Sequence, residues 1–194
     1  MTRLPDKMAD LSTGTLITLR PAKTADLPLL SALRNDVDLQ LALMAVPRPN
    51  SRAHVKAWIT RRTNDPQGAF FVLAWARDNQ AIGFVQLTRI ETLHRRAELG
   101  ICLAEEARGS GAAREAMALL ETYARAALGL RKLVLQVRAD NRRAIALYNR
   151  CGFRRVGTLA AHHYAGGRLH NVQIMEKFLR RKLMEAQKIE YRII

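Results

Sequence analysis

The sequence predicts one mixed α+β domain, a central, mostly antiparallel and twisted sheet flanked by helices, and three observations carry that prediction. Residues 69–76, 81–90 and 96–103 are consecutive extended runs separated by short polar turns, the pattern of an antiparallel meander. A glycine-bearing loop, residues 108–113, then joins strand to helix, because residues 114–128 repeat apolar side chains at helical spacing. The chain finishes as strand, helix and terminal hairpin.

Taken in order, residues 1–13 hold no sustained pattern and read as a flexible arm before a domain of residues 14–179. Residues 15–19 alternate enough for a first strand, ended by Arg20-Pro21, and Thr24 is placed to cap a helix running through Leu30, Leu33 and Arg34. Pro47 and Pro49 break the chain. Ser51 caps a second helix, on which Ala53, Val55, Trp58 and Ile59 recur until Asp65-Pro66 stops it. The meander forms the centre of the sheet. Residues 132–137 give a further strand, and Asp140 or Asn141 caps a helix ending near Cys151-Gly152. Residues 153–164, the Ala165-Gly166-Gly167 turn and residues 169–178 form the hairpin, and residues 180–188 add a basic helix within a tail of residues 180–194. No internal repeat or low-complexity segment interrupts this order.

Composition narrows the function classes. A chain of 194 residues with 48% hydrophobic content buries one good core and is short for two. No run approaches the ~20 apolar residues of a membrane helix, and Arg3, Asp6, Lys7 and Asp10 leave the N-terminus without an apolar signal core, so a soluble cytoplasmic protein is expected. Cys102 and Cys151 lack a paired motif and read as reduced thiols. No metal site is expected: His162 and His163 face opposite ways on a strand, so with His170 they take structural or substrate-facing roles. The formal charge of +15 attracts any polyanion, RNA or an anionic cofactor alike. Runs such as Arg61-Arg62, Arg95-Arg96, Arg154-Arg155 and residues 177–182 are the usual solvated faces, so RNA contact stays open without being favoured.

The loop Arg108-Gly109-Ser110-Gly111-Ala112-Ala113 is the most informative motif. Its glycines let the main chain approach a ligand, and the unpaired first amides of the following helix attract an anion. It is not a P-loop, since Ala112-Ala113 stand where Lys and Ser or Thr would be required. A dinucleotide loop fits poorly too. Arg114 occupies the place of the small packing residue, and too little chain follows for a doubly wound domain.

What remains, Arg-x-x-Gly-x-Ala with Arg108, Gly111 and Ala113, resembles the pyrophosphate signature of the GNAT superfamily of acyl-CoA-dependent N-acetyltransferases. The block Asn141-Arg142-Arg143-Ala144-Ile145-Ala146-Leu147-Tyr148-Asn149-Arg150-Cys151-Gly152-Phe153 resembles the family's second signature at the expected distance downstream. The likeness spans roughly residues 16–178. It implies the GNAT fold, with the fourth and fifth strands splayed apart, and acetyl-CoA as cosubstrate with no metal.

The resemblance also implies roles. Main-chain groups of Ile101, Cys102 and Leu103 receive the pantetheine arm, and amides of Arg108, Gly109, Ser110, Gly111, Ala112 and Ala113 bind the pyrophosphate, with Arg114 and Arg143 adding charge. Asn141 holds the cofactor's far edge. Tyr148, two helical turns beyond Asn141 on the same face, is the candidate general acid, against the alternative of a packed tyrosine. Glu98 takes the amine proton through water, or binds substrate, or only pairs with Arg95 or Arg96.

The layout after Phe153 resembles the subgroup acting on spermidine, amino-sugar nucleotides and ribosomal-protein N-termini. Residues 20–66 hold only Asp26, Asp36, Asp38 and Asp65 as acids, which suits a polycation poorly. A small-molecule amine such as an amino-sugar nucleotide therefore ranks above a peptide N-terminus. A noncatalytic acyl-CoA- or RNA-binding module is the alternative of another class, and a homodimer is left open.

Overall fold

Alternation along the extended runs turns one set of side chains to each face of a sheet, and both faces here are covered by helices. The computed structural model describes residues 13–179, so residues 1–12 of the expected arm and the tail from residue 180 lie outside the described residues. Seven strands, β1 (Ile17–Arg20), β2 (Ala69–Trp75), β3 (Ala81–Glu91), β4 (Arg96–Leu103), β5 (Lys132–Arg138), β6 (Arg154–Ala165) and β7 (Arg168–Phe178), lie in the order β1-β2-β3-β4-β5-β7-β6. Every neighbouring pair is antiparallel except β4 with β5, which is parallel. The helices are α1 (Leu27–Asn35), α2 (Val37–Ala42), α3 (Arg52–Thr63), α4 (Ala112–Ala126) and α5 (Arg142–Arg150).

Two cores result. On one face Ala97 and Leu99 of β4, with Leu133 and Leu135 of β5, pack under the α4 stripe Ala112, Ala116, Met117, Leu120 and Ala124. On the other, Phe70, Val72, Phe84 and Cys102 pack under Leu30 and Leu33 of α1 and Val55 and Trp58 of α3. Trp58 stands edge-on to Phe70 and Phe84, with ring centroids 5.2 and 5.3 Å away. Gly83 is required where β3 meets β4, since a Cβ there would lie 2.2 Å from the Cys102 carbonyl oxygen.

The expected elements recur with small shifts, apart from two differences in the helical region. Thr24 opens a short 3₁₀ turn and caps nothing. The buried Asp26 carboxylate organises that turn, accepting the Lys23 N–H at 2.7 Å and both ends of the Arg20 guanidinium at 2.7 and 2.8 Å. The sequence reading passes over α2, capped by the Asp36 carboxylate on the Leu39 N–H at 2.9 Å, because six residues are too few for a visible period.

Glu115, in the first turn of α4, fastens that helix to the edge of the sheet. Its carboxylate accepts the N–H groups of Thr15, Leu16 and Ile17 at 2.7, 2.9 and 3.1 Å and the Thr15 hydroxyl at 2.9 Å. Burial pushes its pKa up, but these four donors outweigh it and hold the carboxyl below its ordinary 4.5. A depressed carboxylate stabilises the fold above its unfolded pKa and loses that contribution as pH falls. Glu115→Gln is expected to cost on the order of 1 kcal/mol at neutral pH in chemical denaturation. The gap from the unsubstituted protein should close as pH drops below 4.5; a gap independent of pH would contradict this.

Candidate active site

The parallel pairing of β4 with β5 is brief. Arg96, Ala97 and Glu98 sit opposite Lys132, Leu133 and Val134, and no pair follows. From there β5 keeps full register with β7, Val134 opposite Glu176 through Arg138 opposite Val172, while β4 stays with β3. A wedge-shaped gap opens between them. The Ala104 N–H donates to the Ile82 carbonyl at 2.9 Å, and alternation turns the main-chain groups of Cys102 and Gly100 the same way, toward β3. Those of Ile101 and Leu103 therefore face the gap.

This sorts the expected pantetheine contacts. Among the described residues the Ile101 N–H and carbonyl are unpaired, whereas the Leu103 carbonyl accepts from Arg108 Nε at 3.2 Å. Cys102 differs from the expectation. Its main chain is committed to β3, and its buried thiol, pushed up to about 12 by burial, belongs to the α1/α3 core.

The loop at the mouth of the gap is sorted in the same way. Gly109 and Gly111 take φ of 88° and 93°, the left-handed region glycine adopts without strain. Ser110 Oγ donates to the Ala107 carbonyl at 2.7 Å and accepts the Ala112 N–H at 3.2 Å, and the Arg108 N–H donates to the Glu105 carbonyl at 3.0 Å. The amides of Arg108 and Ala112 are thus spent inside the loop, contrary to expectation. Those of Gly109, Ser110, Gly111 and Ala113 carry no hydrogen bond among the described residues, at the positive end of α4. Arg114 and Arg143 are exposed, and the charge of Arg114 reaches Cys151 at the end of α5.

Asn141 caps α5, its Oδ1 accepting the Ala144 N–H at 3.1 Å. Asp140 turns away to Arg138, at 3.0 and 2.7 Å, and to His170 Nδ1 at 2.9 Å, and the Arg138 bonds hold its carboxyl down at about 2. His170 is buried, with Nε2 3.0 Å from the Ala165 carbonyl, so it is structural. No group of three or more potential metal ligands occurs among the described residues.

Tyr148 projects from α5 and is 8% exposed. Burial pushes its hydroxyl up to about 12, with the Cys151 and Cys102 thiols adding to the shift. Tyr148 packs in the α4-face core with Leu99 of β4, and Ile101 lies at the margin of that core. Phe153 lies 5.9 Å from its ring, and its hydroxyl makes no hydrogen bond among the described residues. Glu98 stands on the opposite sheet face, two residues before Gly100, and pairs with Arg89 at 3.1 Å. Neither expected partner reaches it. Arg96 takes Glu91, directly opposite in register, and Arg95 Nε donates to the Gly129 carbonyl at 2.8 Å.

An unpaired strand edge, four free amides at a helix start and a buried hydroxyl thus border one gap. An acetyltransferase (GNAT) domain model matches residues 17–154, more than half the chain. The chain belongs to the GNAT acetyltransferase family. It is 31% identical over 159 residues to the spermidine N(1)-acetyltransferase of Vibrio cholerae, covering 82% of this chain and 91% of that one. The Escherichia coli K12 enzyme of the same name is 29% identical over 169 residues, covering 87% and 89%. Among solved structures, the Vibrio cholerae spermidine N-acetyltransferase in complex with CoA and spermine superposes with a TM-score of 0.79 at 29% identity, covering 86% of this chain and 97% of that one. A dodecameric structure of the Vibrio cholerae enzyme gives 0.72 at 28%, covering 86% and 95%. The GNAT chain is therefore an N-acetyltransferase acting on amines, and its family uses acetyl-CoA. No described helix is long and apolar enough to cross a membrane.

Proposed function

We propose that this chain moves an acetyl group from acetyl-CoA to a primary amine of a small molecule by direct attack, and the observation that carries the reading is the unpaired Ile101 edge between four free amides and the Tyr148 hydroxyl. When bound, acetyl-CoA supplies the activated acetyl group as a thioester. The N–H groups of Gly109, Ser110, Gly111 and Ala113 take its pyrophosphate, and the exposed charges of Arg114 and Arg143 complement the phosphates. Ile101 pairs with the pantetheine amides as a further strand would.

Tyr148 is the proton donor for the departing thiolate. With a hydroxyl pushed up to about 12 it keeps its proton throughout the neutral and mildly alkaline range. Glu98 lies on the face covered by α1 and α3, opposite α4, and receives the amine proton through water while Arg89 holds it in place. A polyamine acceptor is a second reading. It is favoured by the spermidine-named relatives and by the structural neighbour solved with spermine.

Tyr148→Phe is expected to lower kcat about 100-fold while leaving the KM for acetyl-CoA unchanged, with no alkaline limb below pH 10 lost along with the hydroxyl. Unchanged kcat would remove the acid role. An acceptor screen by thiol release across spermidine, amino sugars, simple alkylamines and N-terminal peptides should find turnover among the small amines. Turnover of peptides alone would overturn the acceptor class.

A further inference from the structure

On the α1/α3 face of the sheet, three side chains have buried polar atoms without a partner among the described residues: Arg34 Nε, Ser31 Oγ and Gln86 Oε1. Such orphans are rare in folded proteins and each needs a reason. Arg34 stands over Trp58, its guanidinium carbon 5.0 Å from the ring centroid, and makes no ion pair or side-chain hydrogen bond among the described residues. The cations Arg62 and Arg61 of α3 act on it. Burial, with those two cations, pulls its pKa below the usual arginine value. Ser31 sits one turn earlier on the same helix.

The orphans differ in polarity along β4. Arg34 and Ser31 offer hydrogen-bond donors from α1, the helix whose Leu30 and Leu33 share this core with Cys102. Gln86 offers an acceptor against Gly100, its partner in register, with Glu98 two residues further on the same face. Gly100 and Cys102 are two residues apart, about 7 Å along a strand. We propose that Arg34 is a specificity-determining residue that selects acceptors bearing a carboxylate or phosphate a few atoms from the primary amine. The anion takes the guanidinium fork and the Ser31 hydroxyl, and the amine is held at Gln86 beside Glu98. This rests on the acetyltransferase reading above and narrows its substrate class. A polycation would meet Arg34 with like charge.

The test compares kcat/KM for aminopropyl phosphate, β-alanine, propylamine and spermidine, in the unsubstituted protein and in Arg34→Met, which keeps an apolar stem on Trp58. The unsubstituted protein is expected to favour one anionic acceptor over propylamine by tenfold or more, through KM. Phosphate against carboxylate then identifies the anion. In Arg34→Met that preference collapses, and Arg34→Lys restores part of it. A preference for spermidine or propylamine, or an equal loss on charged and neutral acceptors alike, overturns the assignment while leaving the acetyltransferase reading intact. No turnover of any acceptor overturns both. Should Arg34→Met fail to fold, the order of acceptors in the unsubstituted protein decides alone.

Discussion

The site depends on a competition for one strand. β5 has two edges, one committed to β7 from Lys132 to Arg138 and the other joined to β4 only as far as Glu98. A main-chain N–H or carbonyl left without a partner in a protein interior is costly, so the edge at Ile101 is primed to accept hydrogen bonds from outside the sheet. The free backbone at Ile101 follows from that one divergence. The glycine loop sits at its mouth, where β4 ends and α4 begins, and Tyr148 of α5 packs in one core with Leu99 of β4.

The two sheet faces then divide the labour. On the α4 face, Glu115 anchors the first helical turn to β1, which fixes the direction in which the free amides of the loop point. Arg108 is drawn into the same scaffold through the Leu103 carbonyl, while Arg114 and Arg143 stay exposed. On the α1/α3 face, Trp58, Phe70 and Phe84 give Arg34 an aromatic floor, and Glu98 and Gln86 stand further along the strands.

Much of this was legible in the sequence because it is local. Period-two runs, the glycine loop, the Ser51 cap and the terminal hairpin are encoded by neighbours, and Arg96–Leu103 came out as read. Partners chosen across strands were not. Glu98 pairs with Arg89 because a register shift between Thr88 and Glu91 swings Arg89 toward it, while Glu91 claims Arg96. Glu115 binds residues about 100 positions away, and no local pattern announces that. Ser110 shows the same limit inside the motif itself. Its hydroxyl consumes the Ala112 amide, so the phosphate signature marks the loop without telling which of its amides are free.

Amide hydrogen exchange with and without coenzyme A tests the central claim most directly, since it reads the main-chain groups one by one. The account predicts that CoA slows exchange at Ile101 and at Gly109, Ser110, Gly111 and Ala113, and leaves Cys102 and Ala112, already bonded within the protein, unchanged. Protection that bypassed Ile101 and the loop would contradict it.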